Sequence, residues 1–221
     1  MTARADGAVS IAALLLMLAA LPPAATAASA AAVEGTVALP EAAAAPAAAA
    51  RYPFATSYEV GEPDPPAAVV YLEGDLPAPA PEHAEMKQER YQFAPGLLAV
   101  PRGSTVAFPN RDDEYHSVFS YSKPKRFDLG RYRRDEEPPA LVFDEPGVVR
   151  LYCEIHDHMR GTILVLDTPH ATRTDAGGRY RLDGLPAGTW TLVAWLDEDT
   201  VRRRSLTLRA GDTVRVDFPE E

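Results

Sequence analysis

Cysteine is nearly absent from this sequence, since its 221 residues include only Cys153. A single cysteine cannot form a disulfide within the chain, and a free thiol is prone to oxidation in an oxidising compartment. Metal ligation would protect the sulfur, because a thiolate bound to a metal is no longer free to react. The cysteine count therefore favours a metal ligand.

Basic residues are also in short supply. The chain has 22 Lys and Arg against 32 Asp and Glu, and its formal net charge is -10 with histidine neutral. Proteins that bind nucleic acid or anionic membrane surfaces need basic surfaces. We therefore expect no nucleic-acid partner and no membrane binding after export, whereas a basic protein partner is compatible with this charge.

No segment reaches the roughly 20 apolar residues that a membrane-spanning helix needs. The most apolar stretch, residues 8–21, follows Arg4, stops at Pro22 and leads into small residues typical of a cleavage site. This layout is that of a secretory signal. We predict that residues 1–27 form a cleaved signal peptide, with cleavage after Ala30 as the alternative, and that the protein is periplasmic. An uncleaved membrane anchor is the competing interpretation.

Sustained helical periodicity is missing as well. Short apolar or alternating segments are separated by Gly, Pro, Asn and Asp, which is the pattern of closely spaced strands. Because 46% of the residues are hydrophobic, the chain has enough apolar side chains for a core. We predict an all-β protein made of small β-sandwiches, with the last two strands paired around residues 210–212. The predicted strands are 33–37, 67–72, 86–91, 97–100, 104–108, 116–121, 140–143, 148–152, 162–166, 179–182, 189–195, 205–208 and 213–218.

One tract has little to bury. Residues 40–50 are almost entirely alanine and are interrupted by Pro40 and Pro46. Alanine alone would favour a helix, but the prolines break it and no side chain is large enough to anchor it. We interpret this tract as a linker or a long loop.

The richest chemistry lies in a short loop between the predicted strands 148–152 and 162–166. Cys153, His156 and Met159 follow one another there as C-x2-H-x2-M, a soft set of thiolate, imidazole and thioether. A second imidazole would complete the ligand set of blue copper, which is two His, one Cys and an axial Met. His116 is the candidate, since it opens a predicted strand whose backbone hydrogen bonds would hold it rigidly.

Two motifs in this part of the chain resemble the cupredoxins. They are V-x-F-x-N-R-D-x-x-x-H-x-V at 106–118 and F-D-x-P-G-V-V-x-L-Y-C-x-x-H-x-x-M at 143–159. The loop spacing is similar to that of amicyanin. The resemblance implies a copper-binding Greek-key β-sandwich over residues 84–168, with His116, Cys153, His156 and Met159 as metal ligands. The segments 86–88, 116–129 and 153–159 resemble, more narrowly, the cupredoxin-containing proteins labelled methylamine utilization proteins.

The sequence departs from the cupredoxin pattern at two positions. Ser117 stands where many cupredoxins have an asparagine that ties the ligand loops together, and a hydroxyl is expected to make one of those bonds. His158, beside Met159, offers a competing nitrogen that would move the site towards a red-copper type of lower potential. Met159 itself has a second interpretation, because thioethers commonly fill gaps in cores.

The C-terminal segment resembles a different family. T-D-x-x-G-x-Y-x-L-x-x-L-P-A-G-x-W-x-L at 174–192 is similar to carboxypeptidase regulatory-like modules, which are small transthyretin-like β-sandwiches. Their first strands usually resemble segments found here at 34–37 and 68–74, before the cupredoxin motifs. We therefore hypothesise that the copper domain, 84–168, is inserted between residues 33–76 and 169–219 of one sandwich. The alternative makes 67–72 an extra cupredoxin strand.

These observations predict a function in one-electron transfer with a redox protein, such as a cytochrome or an oxidoreductase, as the partner. A copper delivery protein is the alternative, and it would need an exchangeable site. Hydrolysis by a Cys–His pair needs a third group to orient the base, and the motif offers none. Zinc also suits Cys and His but leaves the methionine unexplained. We therefore expect a protein that is not an enzyme.

Overall fold

The computed structural model describes residues 30–42 and 60–220, and in these residues every regular element is a β-strand. The predicted all-β class is confirmed. No helix suited to crossing a membrane occurs in the described part of the chain. The predicted signal peptide and residues 43–50 of the alanine-rich tract lie outside the described residues. The strands are β1 Ala31–Thr36, β2 Val69–Glu73, β3 His83–Glu85, β4 Lys87–Glu89, β5 Gln92–Ala94, β6 Leu97–Pro101, β7 Ser104–Ala107, β8 His116–Ser120, β9 Phe127–Tyr132, β10 Ala140–Phe143, β11 Gly147–Tyr152, β12 Arg160–Leu166, β13 Ala171–Arg173, β14 Arg179–Leu185, β15 Gly188–Trp195, β16 Val201–Leu208 and β17 Thr213–Arg215.

Strands β3 to β12 form the first sandwich. Its larger sheet has the order β6-β12-β11-β8-β9, its smaller sheet has the order β10-β7-β3, and β4 and β5 form a separate hairpin. Along β11, Val149 and Leu151 are buried while Arg150 is exposed, which is the alternation of a strand that covers a core. The core between these sheets contains Met86, Phe93, Val100, Val106, Phe108, Val118, Tyr132, Phe143, Val149, Leu151, Cys153, Met159, Ile163 and Val165.

The first sandwich brings the two ligand motifs to one end. β8 begins at His116 and lies beside β11, which ends at Tyr152, directly before Cys153. Tyr152 pairs with Phe119 across these strands. The loop that carries His156 then returns into β12, which pairs with β11 along its whole length. Neighbouring antiparallel strands therefore fix the distance between the two motifs.

The remaining strands form the second sandwich, with sheet orders β14-β1-β17 and β13-β2-β15-β16. β2 pairs antiparallel with β13 and with β15, so that Val69 lies opposite Trp195. Strands from before and after the first sandwich thus share both sheets, which is the pairing that the insertion hypothesis requires. Their common core contains Ala31, Val33, Val37, Ala68, Val70, Leu72, Tyr180, Leu182, Leu185, Leu192, Ala194, Leu206, Leu208 and Phe218.

A glycine of the C-terminal motif shows how closely the two halves of the second sandwich meet. Gly178 has a φ of +77°, and a Cβ placed there would clash with the carbonyl oxygen of Val37. The Val37 N–H donates a hydrogen bond of 2.8 Å to the Gly178 carbonyl. Only glycine combines this backbone conformation with so close an approach.

The two sandwiches share a third cluster of buried side chains, made by Val69, Leu164, Leu166 and Trp195. In β12, Ile163 and Val165 point into the core of the first sandwich, while Leu164 and Leu166 belong to this shared cluster. The second half of β12 is therefore covered on both faces, which explains why residues 163–166 are continuously apolar instead of alternating.

The strand predictions differ from the structure in three respects. Residues 86–91 do not form one strand, because a two-residue turn at Arg90 and Tyr91 ends β4. β3, β5, β9 and β13 are not among the predicted strands; three of them are only three residues long, and in β9 Tyr132 alone is buried. The last two strands do not pair with each other: β16 pairs with β15 and β17 pairs in parallel with β1. Turn residues between two strands could not reveal that the strands join different sheets.

Candidate metal centre

Three of the four predicted ligands converge at the end of the first sandwich. The Nδ1 atoms of His116 and His156 are 3.1 Å apart, and the Sγ of Cys153 lies 4.0 Å from the first and 3.7 Å from the second. A circle through these three atoms has a radius of about 2.1 Å, and metal–nitrogen and metal–sulfur bonds in proteins are about 2.0 to 2.3 Å long. One metal ion in the plane of the three atoms would therefore contact all of them at bonding distance.

Solvent is largely excluded from this cluster. The exposed fraction is 0% for His116, 5% for Cys153 and 7% for His156. The cluster is the one group of His, Cys, Asp or Glu side chains with metal-binding geometry that the described residues contain. Buried polar groups need a partner. A bound cation would be shared by both nitrogens and the sulfur.

Asp112 fixes the tautomer of His116. The Nε2 of His116 lies 2.8 Å from the Oδ2 of Asp112, so the ring donates its Nε2–H to the carboxylate. Nδ1 then faces the cluster and would offer its lone pair to a bound metal ion. Burial alone would lower the pKa of His116, but its hydrogen bonds to Asp112 and Cys153 raise it. Asp112 was not among the predicted site residues. Its position four residues before His116, within the motif at 106–118, was the signal that could have indicated its role.

The sulfur of Cys153 is poised to be a thiolate. Burial would raise its pKa, but hydrogen bonds from His116 and His156, together with backbone N–H groups of Ser117 and His156, lower the pKa from 9.0 to about 5. The thiolate is the form that binds metal ions. The protein therefore holds the sulfur in the metal-binding form at neutral pH.

Ser117 joins the two ligand motifs. Its Oγ accepts a hydrogen bond of 2.8 Å from the Glu154 N–H and also lies 3.9 Å from the Cys153 sulfur, within reach of a weak O–H···S bond. The expectation that a hydroxyl would make only one such contact was wrong. An ion pair of 3.0 Å between Arg131 of β9 and Glu154 adds a second tie to the same loop.

The structure separates the two candidates for a fourth ligand. Met159 is buried with Cys153 in the core of the first sandwich, and its N–H donates 2.9 Å to the His156 carbonyl, which closes the loop. His158 instead places its Nε2 3.0 Å from the carbonyl oxygen of Tyr91. Burial and the neighbouring His156 lower the pKa of His158. Ligation by Met159 stays a prediction.

Tyr91 covers the cluster from the β4–β5 turn. Its ring meets the ring of His116 edge-on at 5.7 Å and the ring of His156 at 5.2 Å, measured between centroids. No signal in the sequence indicated this role, because residues 86–91 were predicted to be one strand. The contact arises only because Tyr91 lies in the turn.

A family model for the carboxypeptidase regulatory-like domain matches residues 160–219. The match contains the C-terminal motif at 174–192 and so supports the resemblance drawn from it. It begins at β12, which pairs within the first sandwich, and runs through the C-terminal strands of the second. No curated protein matches the chain.

Several solved structures are similar to part of the chain. A purple cupredoxin from Nitrosopumilus maritimus is 28% identical, covers 34% of this chain and 81% of its own, and has a TM-score of 0.31. A reduced amicyanin variant is 24% identical, with 38% of this chain and 82% of the amicyanin chain covered, and its TM-score is 0.35. A copper-containing nitrite reductase from Thermus scotoductus SA-01 is 25% identical and scores 0.36, with 43% of this chain and 25% of the reductase covered. The chain thus spans only a quarter of the reductase.

The lowered pKa of Cys153 leads to a test in metal-free protein. Between pH 9.0 and about 5 the folded chain holds a thiolate that the unfolded chain protonates, so the stability from this group is lost as pH falls through that range. Ultraviolet absorbance of the thiolate should persist in folded protein to about pH 5. In protein unfolded by urea, the thiolate absorbance should disappear below the ordinary thiol pKa. The Cys153→Ser variant should lack this absorbance at every pH. A folded-state midpoint near 9 would contradict the assignment.

Proposed function

We propose that the chain is a copper protein that transfers single electrons. The observation that supports this most directly is the triangle of two imidazole nitrogens and one thiolate sulfur, whose dimensions fit one ion. Copper held by such ligands supplies one-electron chemistry between Cu(I) and Cu(II). The chain's own contribution is to keep the three atoms in place by strand pairing, Ser117 and Asp112.

The donor set favours copper over zinc. Structural zinc sites are tetrahedral and closed by four Cys or His ligands, and catalytic ones keep a water at the fourth position. Here three donors lie in a nearly solvent-free pocket, and Met159 is buried in the same core. A planar set of two nitrogens and one sulfur with a weak thioether is the blue-copper arrangement.

The structure removes one of the arguments against a hydrolase. Asp112 does orient His116, so a third orienting group exists after all. A nucleophilic cysteine must nevertheless be reached by its substrate. Cys153 is buried against two imidazoles, one of which lies 3.7 Å from its sulfur, and this leaves no room for a scissile carbonyl. A role other than an enzyme remains the better proposal.

Copper delivery is less well supported than electron transfer. An exchangeable site would profit from loose bracing and from a spare ligand. Ser117 contacts both Glu154 and Cys153, and His158 is hydrogen-bonded to the turn at Tyr91. Both features restrain the loop. In a red-copper site, His158 would have to bind the metal through Nδ1 as long as its Nε2 keeps the hydrogen bond to Tyr91.

The proposal includes a cellular location, a docking site for the redox partner and a domain arrangement. The signal-like residues 1–27 support a periplasmic location, and the link to methylamine utilization proteins depends on the sequence motifs alone. A redox partner would dock where the ligand loop reaches the surface, at the partly exposed Ile155 beside His156. The pairing of β2 with β15 supports a copper domain inserted into a scaffolding sandwich.

Copper titration tests the proposal. Adding Cu(II) to the metal-free protein should give a strong visible band from the thiolate, at one ion per chain, with a reversible redox couple. The band should vanish in Cys153→Ser, which keeps the size of the side chain but removes the thiolate. Failure of the wild-type protein to bind copper would contradict the proposal, and irreversible reduction with easy loss of copper would favour delivery.

The fourth ligand can be identified by two substitutions. Met159→Leu keeps the volume but removes the sulfur, so copper should still bind while the reduction potential and the visible spectrum shift. His158→Ala should leave both unchanged, since its ring bonds to the Tyr91 carbonyl. Voltammetry of the two variants decides the matter. A large shift in His158→Ala and none in Met159→Leu would assign the ligand to His158.

A further inference from the structure

We infer that Asp112 is a positioning residue that holds His116 and the Tyr91 turn together over the metal site. The inference rests on the proposed copper function for its consequences, but the contacts behind it are visible without metal. It assigns a role to a carboxylate within the first ligand motif and to a turn that lies outside both motifs.

A single carboxylate makes three hydrogen bonds at this point. Oδ1 of Asp112 accepts from the Arg90 N–H at 2.7 Å, and Oδ2 accepts from the Tyr91 N–H at 2.9 Å and from His116 Nε2 at 2.8 Å. Asp112 itself is tied down, because its N–H donates 2.9 Å to the Oδ1 of Asn110. A buried asparagine, which also bonds two backbone carbonyls, therefore holds the carboxylate in place.

The turn that Asp112 holds is a strained one. Arg90 and Tyr91 have φ values of 52° and 59°, the left-handed conformation that residues other than Gly and Asn rarely adopt. Two-residue hairpins of this kind favour Asn-Gly, and neither residue is present here. Backbone strain of this sort is maintained where the surroundings compensate for it, often at functional sites. The carboxylate compensates by accepting both N–H groups of the turn.

The conformation of the turn matters because of what it presents to the metal site. The Tyr91 ring lies edge-on against both imidazole ligands, and the Tyr91 carbonyl accepts from His158. If the turn relaxed, the cover over the two rings and the restraint on His158 would be lost together. Asp112 thus links the tautomer of one ligand to the shielding of both.

An amide cannot replace this carboxylate. Asn at position 112 has one acceptor oxygen, and its NH2 group would face one of the three donors. At least one of the bonds to Arg90, Tyr91 or His116 must then break. A ligand histidine without its carboxylate partner is also less basic, and loss of such a partner typically lowers metal affinity about 10–100-fold.

Asp112→Asn should therefore release copper to a chelator about 10–100-fold faster and raise the reduction potential, because a less basic imidazole stabilises Cu(II) less well. Asp113→Asn is the matched control: it removes the same charge from the neighbouring position, where the side chain is 86% exposed and pairs with Arg134. Asp112→Glu keeps the charge but displaces the carboxylate, so it should resemble Asp112→Asn. Wild-type behaviour of Asp112→Glu would overturn the positioning role in favour of charge alone.

Metal-free protein provides a readout that does not depend on the copper function. In histidine-labelled protein, NMR should show that Nε2 of His116 is protonated and that this proton exchanges slowly. That proton should exchange faster in Asp112→Asn and at an unchanged rate in Asp113→Asn. An unaltered His116 signal in Asp112→Asn would overturn the inference. A changed signal in a protein that binds no copper would refute the proposed function but leave the positioning role standing.

Discussion

Three electron-pair donors face one another in a pocket that water hardly reaches, and this constraint governs the rest of the structure. The ligand atoms of His116, His156 and Cys153 lie 3.1 to 4.0 Å from one another. Such groups repel unless they share a positive charge, which can be a proton or a metal ion. The lowered pKa of Cys153 and the raised pKa of His116 indicate that, without metal, a proton on the histidine supplies this positive charge. A copper ion would satisfy all three donors at once.

The scaffold keeps this unfavourable arrangement from relaxing. β8 and β11 are neighbours in one sheet, Ser117 bonds to the ligand loop, and Asp112 bonds to the turn on the other side. The sheet is itself supported from behind, because β12 packs against β2 and β15 of the second sandwich. The second sandwich thus contributes stiffness to the metal site without supplying any ligand.

The sequence predicted those parts of the site that depend on residue type and spacing. The thiolate, imidazole and thioether of C-x2-H-x2-M and the isolated His116 are rare residues in an unusual order. The predicted strands placed the first three in one loop and His116 at the start of a strand. The sequence could not predict Tyr91, since an Arg-Tyr turn with positive φ carries none of the Gly or Asn signals of hairpins. Asp112 was visible but looked like one of several acidic loop residues. Its three acceptor contacts exist only once β4, β5 and β8 have come together.

X-ray absorption at the copper edge of the loaded protein tests the central claim most directly, because it counts the atoms bonded to the ion. Two nitrogen scatterers and one sulfur scatterer at about 2.0 to 2.3 Å are predicted, in keeping with the bond lengths of His and Cys ligands. A first shell of nitrogen and oxygen without a short sulfur contact would contradict the account, since the ion would then not lie between His116, Cys153 and His156.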